Sequence, residues 1–255
     1  MRRSPKPSGM GHIDVVSERE FDEPVLVEGF PGVGLVGKIA ADHLVETLDA
    51  TLYATVHCDS LPAAAAYGAG DRAVTTPVRL YAAPDADLLI LQSDVPVSPD
   101  AAEEFAGCIE DWFREASVTP LYIAGLRGDD DAEEAPALRG VAVGGADGTL
   151  DDLDVPVPAS AGLISGPTGA LLAHALETDL PAVGLAVDAD PRFPDPEAAR
   201  VVLESVVEPL AGVDADAAAF DTRAERIQRA KEQLAAQMQQ GTENVSQART
   251  LRMYQ

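Results

Sequence analysis

The chain has 255 residues, with 18 Lys and Arg against 43 Asp and Glu, a formal charge of −25. So acidic a body repels phosphate backbones and anionic lipid heads, which are held by clustered Lys and Arg. Nor is there a run of 18 or more apolar residues to span a bilayer, so nucleic acid and membrane are excluded as partners.

At 46% hydrophobic residues the chain can bury a full core. Its acid excess and scarcity of Lys suit a high-salt cytoplasm, where screening removes self-repulsion; a halophilic source is expected. Cys58 and Cys108 are the two cysteines, and no apolar stretch follows Arg2 and Arg3. The expectation is reduced thiols in a cytoplasmic protein. The charge is uneven: residues 1–10 and 222–255 are net basic, while the body between them carries the acid.

Residues 1–20, with the Pro, Ser and Gly of Ser4 to Gly9, are expected to be a disordered lead. An α/β domain is expected over 21–212. Its strand candidates are Val25 to Phe30, Leu52 to Val56, Val78 to Ala83, Leu88 to Ser93, Leu121 to Leu126 and Ala182 to Asp188. Several lack polar alternation, which predicts a mostly parallel sheet covered on both faces by helices.

Helices are predicted over 36–48 and 168–177, and after two capping pairs. Ser98 with Pro99 opens one whose Ala102, Phe105, Ile109, Trp112 and Phe113 share a face. Asp195 with Pro196 opens another, carrying Ala199, Val202, Leu203, Val206, Val207 and Leu210. Asp129 to Glu134 reads as a solvated acidic loop, as do Asp151, Asp152 and Asp154, because neither has the alternating oxygens and turn glycine of a calcium loop. No metal is assigned.

A C-terminal helix is expected over 213–240, with Ile227, Leu234 and Met238 on a narrow apolar stripe that suits packing against a second copy. A flexible tail over 241–255 ends in Met253, Tyr254 and Gln255.

Gly32, Gly34 and Gly37 have the G-x-G-x-x-G spacing between a strand and a helix, and Asp59 lies 22 residues past Gly37. Gly32 to Lys38 also fits G-x-x-x-x-G-K, but Ile39 stands where a phosphate loop needs Ser or Thr for magnesium. The glycines equally serve a tight turn and close helix packing without a ligand. Ser165 lacks the glycines of a nucleophile elbow. His57 and Cys58, as consecutive strand residues, point to opposite faces and form no catalytic pair. His43 and His174 lie on helices and read as packing.

Gly29-Phe30-Pro31-Gly32-Val33-Gly34-Leu35-Val36-Gly37, Gly162-Leu163-Ile164-Ser165-Gly166-Pro167-Thr168-Gly169 and Phe193-Pro194-Asp195-Pro196-Glu197-Ala198-Ala199 together resemble the proteasome assembly chaperone family in its archaeal form. The resemblance covers about Val25 to Leu210. It implies an α/β fold similar to that of nucleoside phosphorylases, no catalytic set, no cofactor, and a homo-oligomer. Gly166 and Gly169 join Gly32, Gly34 and Gly37 as family loop residues. Pro167 and the acidic insertion depart from the pattern.

Met253-Tyr254-Gln255 resembles the hydrophobic-Tyr-X docking tails of proteasome activators and assembly factors. The implied partner is the ring of core proteasome α-subunits: the terminal carboxylate would meet a Lys, Tyr254 would supply a rigid aromatic, and Met253 would fill an apolar groove. The alternative is an enzyme or sensor binding a nucleotide or phosphate at Gly32 to Lys38.

Overall fold

The computed structural model describes residues 12–17, 19–68, 72–128, 135–216, 220 and 222. The chain divides into two compact units, Met1–Asp216 and Ala217–Gln255. All that follows concerns the first.

Its elements intersperse helices among groups of strands. They are β1 (His12–Val15), β2 (Val25–Gly29), α1 (Val36–Thr47), β3 (Thr51–His57), β4 (Ala66–Tyr67), β5 (Val74–Thr75), β6 (Val78–Ala82) and β7 (Leu88–Ser93). The second half supplies α2 (Pro99–Glu115), β8 (Thr119–Arg127), β9 (Leu138–Val143), α3 (Asp147–Asp152), α4 (Gly166–Thr178), β10 (Ala182–Ala189), α5 (Pro196–Val202) and α6 (Glu208–Ala211). A π-turn over Leu203–Val207 joins the last two helices.

Eight of the strands form one sheet, ordered β1-β3-β6-β7-β2-β8-β10-β9, while β4 and β5 make a separate hairpin. The centre, β7-β2-β8-β10, is parallel; β6, β1 and β9 run the other way. This is the mostly parallel α/β sheet that the apolar runs predict. The central strands are buried because helices cover both faces: α2 and α4 pack together on one, α1 and α5 on the other.

The predicted caps form. Ser98 Oγ accepts the Ala101 amide at 3.2 Å and Asp195 Oδ1 the Ala198 amide at 3.1 Å, each ahead of a proline in the first helical turn. Both satisfy amides that an uncapped helix start leaves bare.

Three expectations need correction. The lead is not unstructured through residue 20, because His12–Val15 pairs antiparallel with β3 and hydrogen-bonds as the sheet edge. Asp151 and Asp152 lie on a short helix rather than a loop; Leu150 anchors it, 7% exposed, against β9. Residues 213–216 continue without helical structure, after Gly212 ends α6 in the left-handed conformation. Phe220, which is buried, and Thr222 are helical; the remaining residues of the expected C-terminal helix, the tail, and Met253, Tyr254 and Gln255 lie outside the described residues, as does Asp129 to Glu134. Among the described residues no helix is long and apolar enough to cross a membrane.

Candidate functional site

The three glycine- and proline-bearing segments singled out in the sequence converge at the C-terminal ends of β2, β8 and β10, where ligands and partners of parallel sheets are commonly met. Glu28, on β2, ties the first to the second. It is 0% exposed, and its Oε1 accepts the Phe30 amide at 2.7 Å. Oε2 accepts the Ile123 amide of β8 at 3.1 Å and the Thr168 hydroxyl of α4 at 3.2 Å. Thr168 Oγ1 also lies 3.3 Å from the Ile123 carbonyl. Burial pushes the Glu28 carboxyl up to about 7, against the opposing pull of the Ile123 and Phe30 amides and the Thr168 hydroxyl.

Gly34 ties the first segment to the third. Its φ is +64°, its carbonyl accepts the Asp195 amide at 2.7 Å, and a Cβ there would stand 2.8 Å from Ala189 Cβ. Gly37 presses α1 on β2, since a Cβ would lie 2.8 Å from the Glu28 carbonyl oxygen. Gly125 of β8 lets the loop lie across the sheet: a Cβ there would meet the Val33 carbonyl at 2.1 Å.

Gly32 is exposed with open space around it. Gly166, at φ +74°, starts α4, and Gly169 passes close enough to Ile164 that a Cβ would lie 2.4 Å from its carbonyl. The structure thus packs Gly34 against Ala189 and Asp195, and Gly37 against the backbone of β2. Gly32 stays at the rim.

Lys38 is engaged by carboxylates. Its Nζ lies 2.6 Å from Asp42 Oδ1 and 3.2 Å from Asp94 Oδ1, and Arg79 also bonds Asp94. Gln92 completes the network, donating to Asp42 Oδ1 at 2.6 Å and accepting from Arg79 at 2.8 Å. Burial raises the Asp94 carboxyl, but Arg79 and Lys38 together hold it below the usual range.

Asp59 follows β3, three places from β2 in the sheet, or about 14 Å at ordinary strand spacing. A dinucleotide site needs that acid on the neighbouring strand, so Asp59 does not complete a ribose contact beside Gly32 to Gly37.

Cys58 lies against Cys108 of α2. Burial first, and Cys108 second, push the Cys58 thiol far up, so it is no activated nucleophile. His43 is buried with Nε2 against the Ala215 carbonyl, and His174 bonds Glu110 at 2.6 Å. Beside the second segment a cleft of about 440 Å³ opens, lined by Arg127, Arg139, Ser160, Leu163, Ile164 and Asp188 among others. Arg139 grips Asp188 with two bonds of 2.8 and 2.9 Å.

The sequence profile of the PAC2 family matches residues 26–235, which include all three segments. The chain belongs to the PAC2 family.

This PAC2 protein is 28% identical over 186 residues to an uncharacterized protein of Methanocaldococcus jannaschii, covering 72% of this chain and 74% of that one. Its fold resembles the crystal structure of Pyrococcus furiosus PbaA, an archaeal homolog of proteasome-assembly chaperone. That similarity has a TM-score of 0.73 and 25% identity over 92% of this chain and 96% of PbaA. Pyrococcus furiosus PbaB, an archaeal proteasome activator, shares the fold at TM-score 0.71 and 23% identity, over 89% and 99% of the two chains.

Glu28 and Gly125 escape a reading by motif. Their signals are present nonetheless: a carboxylate inside the apolar run Val25 to Phe30, and a glycine inside the strand Leu121 to Leu126.

Proposed function

We propose that this PAC2 protein is a noncatalytic, homo-oligomeric cytoplasmic partner of the core proteasome, an assembly chaperone or activator that docks on the α-ring through Met253, Tyr254 and Gln255. The observation that carries this reading is the similarity along nearly the whole chain to PbaA. The site chemistry agrees with it. The carboxyl, amides and hydroxyl at the junction bond one another, and neighbouring backbone closes on Gly37, Gly125 and Gly169, as suits a rigid scaffold.

The test is a pull-down of core particle in molar salt with four proteins: wild type, a chain lacking Met253 to Gln255, Tyr254→Ala, and a chain extended beyond Gln255. Docking by the tail predicts capture by the wild type alone, because extension displaces the terminal carboxylate as effectively as truncation removes it. Equal capture by all four would exclude it. Light scattering in the same buffer checks self-association, which would present several tails together and strengthen weak single contacts.

The cleft beside Arg127 and Ser160 favours a second reading, a small anionic ligand held at the strand ends. Calorimetry with nucleotides and inorganic phosphate separates the two, since the scaffold reading predicts no saturable heat.

A further inference from the structure

At the edge of the sheet, where β1 lies four places from β2, β1 and β3 bring together three ligating side chains, two of them 43 or more residues from the third in sequence. The register pairs His12 with His57 and Asp14 with Thr55. Alternation along each strand puts all four on one face. The two imidazoles stack with centroids 4.9 Å apart and planes within 6°. Asp14 reaches both: its Oδ1 is 3.5 Å from His12 Nε2 and its Oδ2 is 3.5 Å from His57 Nε2. The Thr55 hydroxyl lies 3.1 Å from His57 Nε2. One ligand atom from each of His12, Asp14 and His57 falls within 4.8 Å of the others.

We propose that His12, Asp14 and His57 form a binding site for a divalent transition-metal ion of the zinc, cobalt or nickel class, which clips the edge strand β1 to the body. A tetrahedral ion with bonds of about 2.0 to 2.2 Å holds its ligands roughly 3.4 Å apart, close to the spacing of the carboxylate from each ring nitrogen. Two imidazoles and one carboxylate suit borderline ions and disfavour magnesium and calcium, which ask for a shell of oxygens. Three protein ligands leave at least one position to water, in keeping with the partial exposure of both histidines. To converge on one ion the stacked rings turn about χ2. Coordination then replaces the hydrogen bond between Thr55 and His57.

The site does not depend on the proteasome reading. Its residues lie before and beyond the glycine segment, and His12 and Asp14 precede the part of the chain that the PAC2 profile matches. Binding to the folded state alone raises its stability by mass action.

The experiment uses the full, tag-free chain, stripped with chelator and dialysed into molar potassium chloride without thiols. Zinc is titrated by calorimetry, and cobalt by its visible absorption. The expected result is one equivalent bound and an upward shift of the thermal midpoint, neither reproduced by magnesium. His12→Asn, His57→Asn and Asp14→Asn should each weaken zinc at least about tenfold while leaving the midpoint in chelator unchanged within a few degrees. Cys58→Ser should leave binding intact, and the cobalt spectrum should lack a thiolate charge-transfer band. A wild type that binds no zinc, zinc binding unchanged in the His12/His57 double variant, or binding lost with Cys58→Ser would overturn the proposal.

Discussion

Thr168 Oγ1 donates to Glu28 Oε2 at 3.2 Å, a hydrogen bond between residues 140 apart in the chain. It joins the strand before the first glycine loop to the first turn of α4. With the Ile123 amide on the same oxygen, three separate elements share one buried carboxyl. Such a group fixes relative positions only while each partner is satisfied.

The first prediction follows from its ionisation. Burial raises the Glu28 carboxyl from 4.5 to about 7, so the folded chain holds a proton that the unfolded chain has released across that window. Its contribution to stability is therefore complete below about pH 4.5, falls as pH rises through 7, and is flat above. The slope integrates to about 3 kcal/mol. Glu28→Gln should abolish this component. It should also be less stable than wild type at pH 5, because an amide nitrogen set against a buried N–H loses a hydrogen bond worth about 1 to 3 kcal/mol. Denaturant titrations from pH 4.5 to 8 check both. A slope retained in Glu28→Gln would show that another group carries it.

The glycines give a graded series. Gly34 combines φ +64° with a would-be Cβ contact of 2.8 Å, whereas Gly166 has φ +74° in open space and Gly32 has open space with an ordinary φ of −127°. Replacement by Ala should cost about 2 to 4 kcal/mol at Gly34, about 1 at Gly166 and under about 0.5 at Gly32. Urea midpoints would rank them. Equal loss at Gly32 and Gly34 would contradict the packing role, since only Gly34 meets Ala189 and Asp195.

The sequence reveals the parallel core because β7 and β10 are continuous apolar runs, and it reveals α2 and α5 because Ser98-Pro99 and Asp195-Pro196 are strong starts. It hides β1, whose four residues alternate polar and apolar after a proline-rich lead, and β9, whose apolar run is broken by Arg139 and Gly140. Gly140 is there for α3: a Cβ would stand 2.6 Å from Leu150. The glycine spacing of the site is legible, but its partners are not. Glu28 with Thr168, and His12 with His57, meet only through strand order and register, which local periodicity does not encode.

On the helical face, Glu110 of α2 receives Arg114 Nε at 2.8 Å and His174 Nε2 of α4 at 2.6 Å. Burial pulls its carboxyl up, yet Arg114 and His174, through their hydrogen bonds and charge interactions, keep it below the usual range. Its folded value being depressed, this contribution is present above the unfolded carboxyl range and lost as pH falls through the folded value. A double-mutant cycle of Glu110→Gln and His174→Gln at pH 6 should give a coupling of about 0.5 to 1 kcal/mol that shrinks between low and molar salt. A coupling indistinguishable from zero at low salt would mean the pair is incidental.

The last prediction separates the scaffold from an anion cradle at Lys38. A phosphate bound there must compete with Asp42 and Asp94 for the ammonium, while the Arg79 guanidinium is already committed to Asp94 and Gln92. Two cations offset two carboxylates, leaving no surplus positive charge to repay the desolvation of a polyanion. Lys38→Ala should thus fold, lose about 0.5 to 1 kcal/mol from a partly exposed network, and leave core-particle capture unchanged. Wild type and variant should both give only dilution heats with phosphate or nucleotide. Saturable nucleotide heat in wild type that disappears in Lys38→Ala, with the thermal midpoint preserved, would reverse the assignment: the loop would then open Lys38 to a ligand by releasing Asp42, and the glycines would serve an approaching phosphate as well as the neighbouring strands.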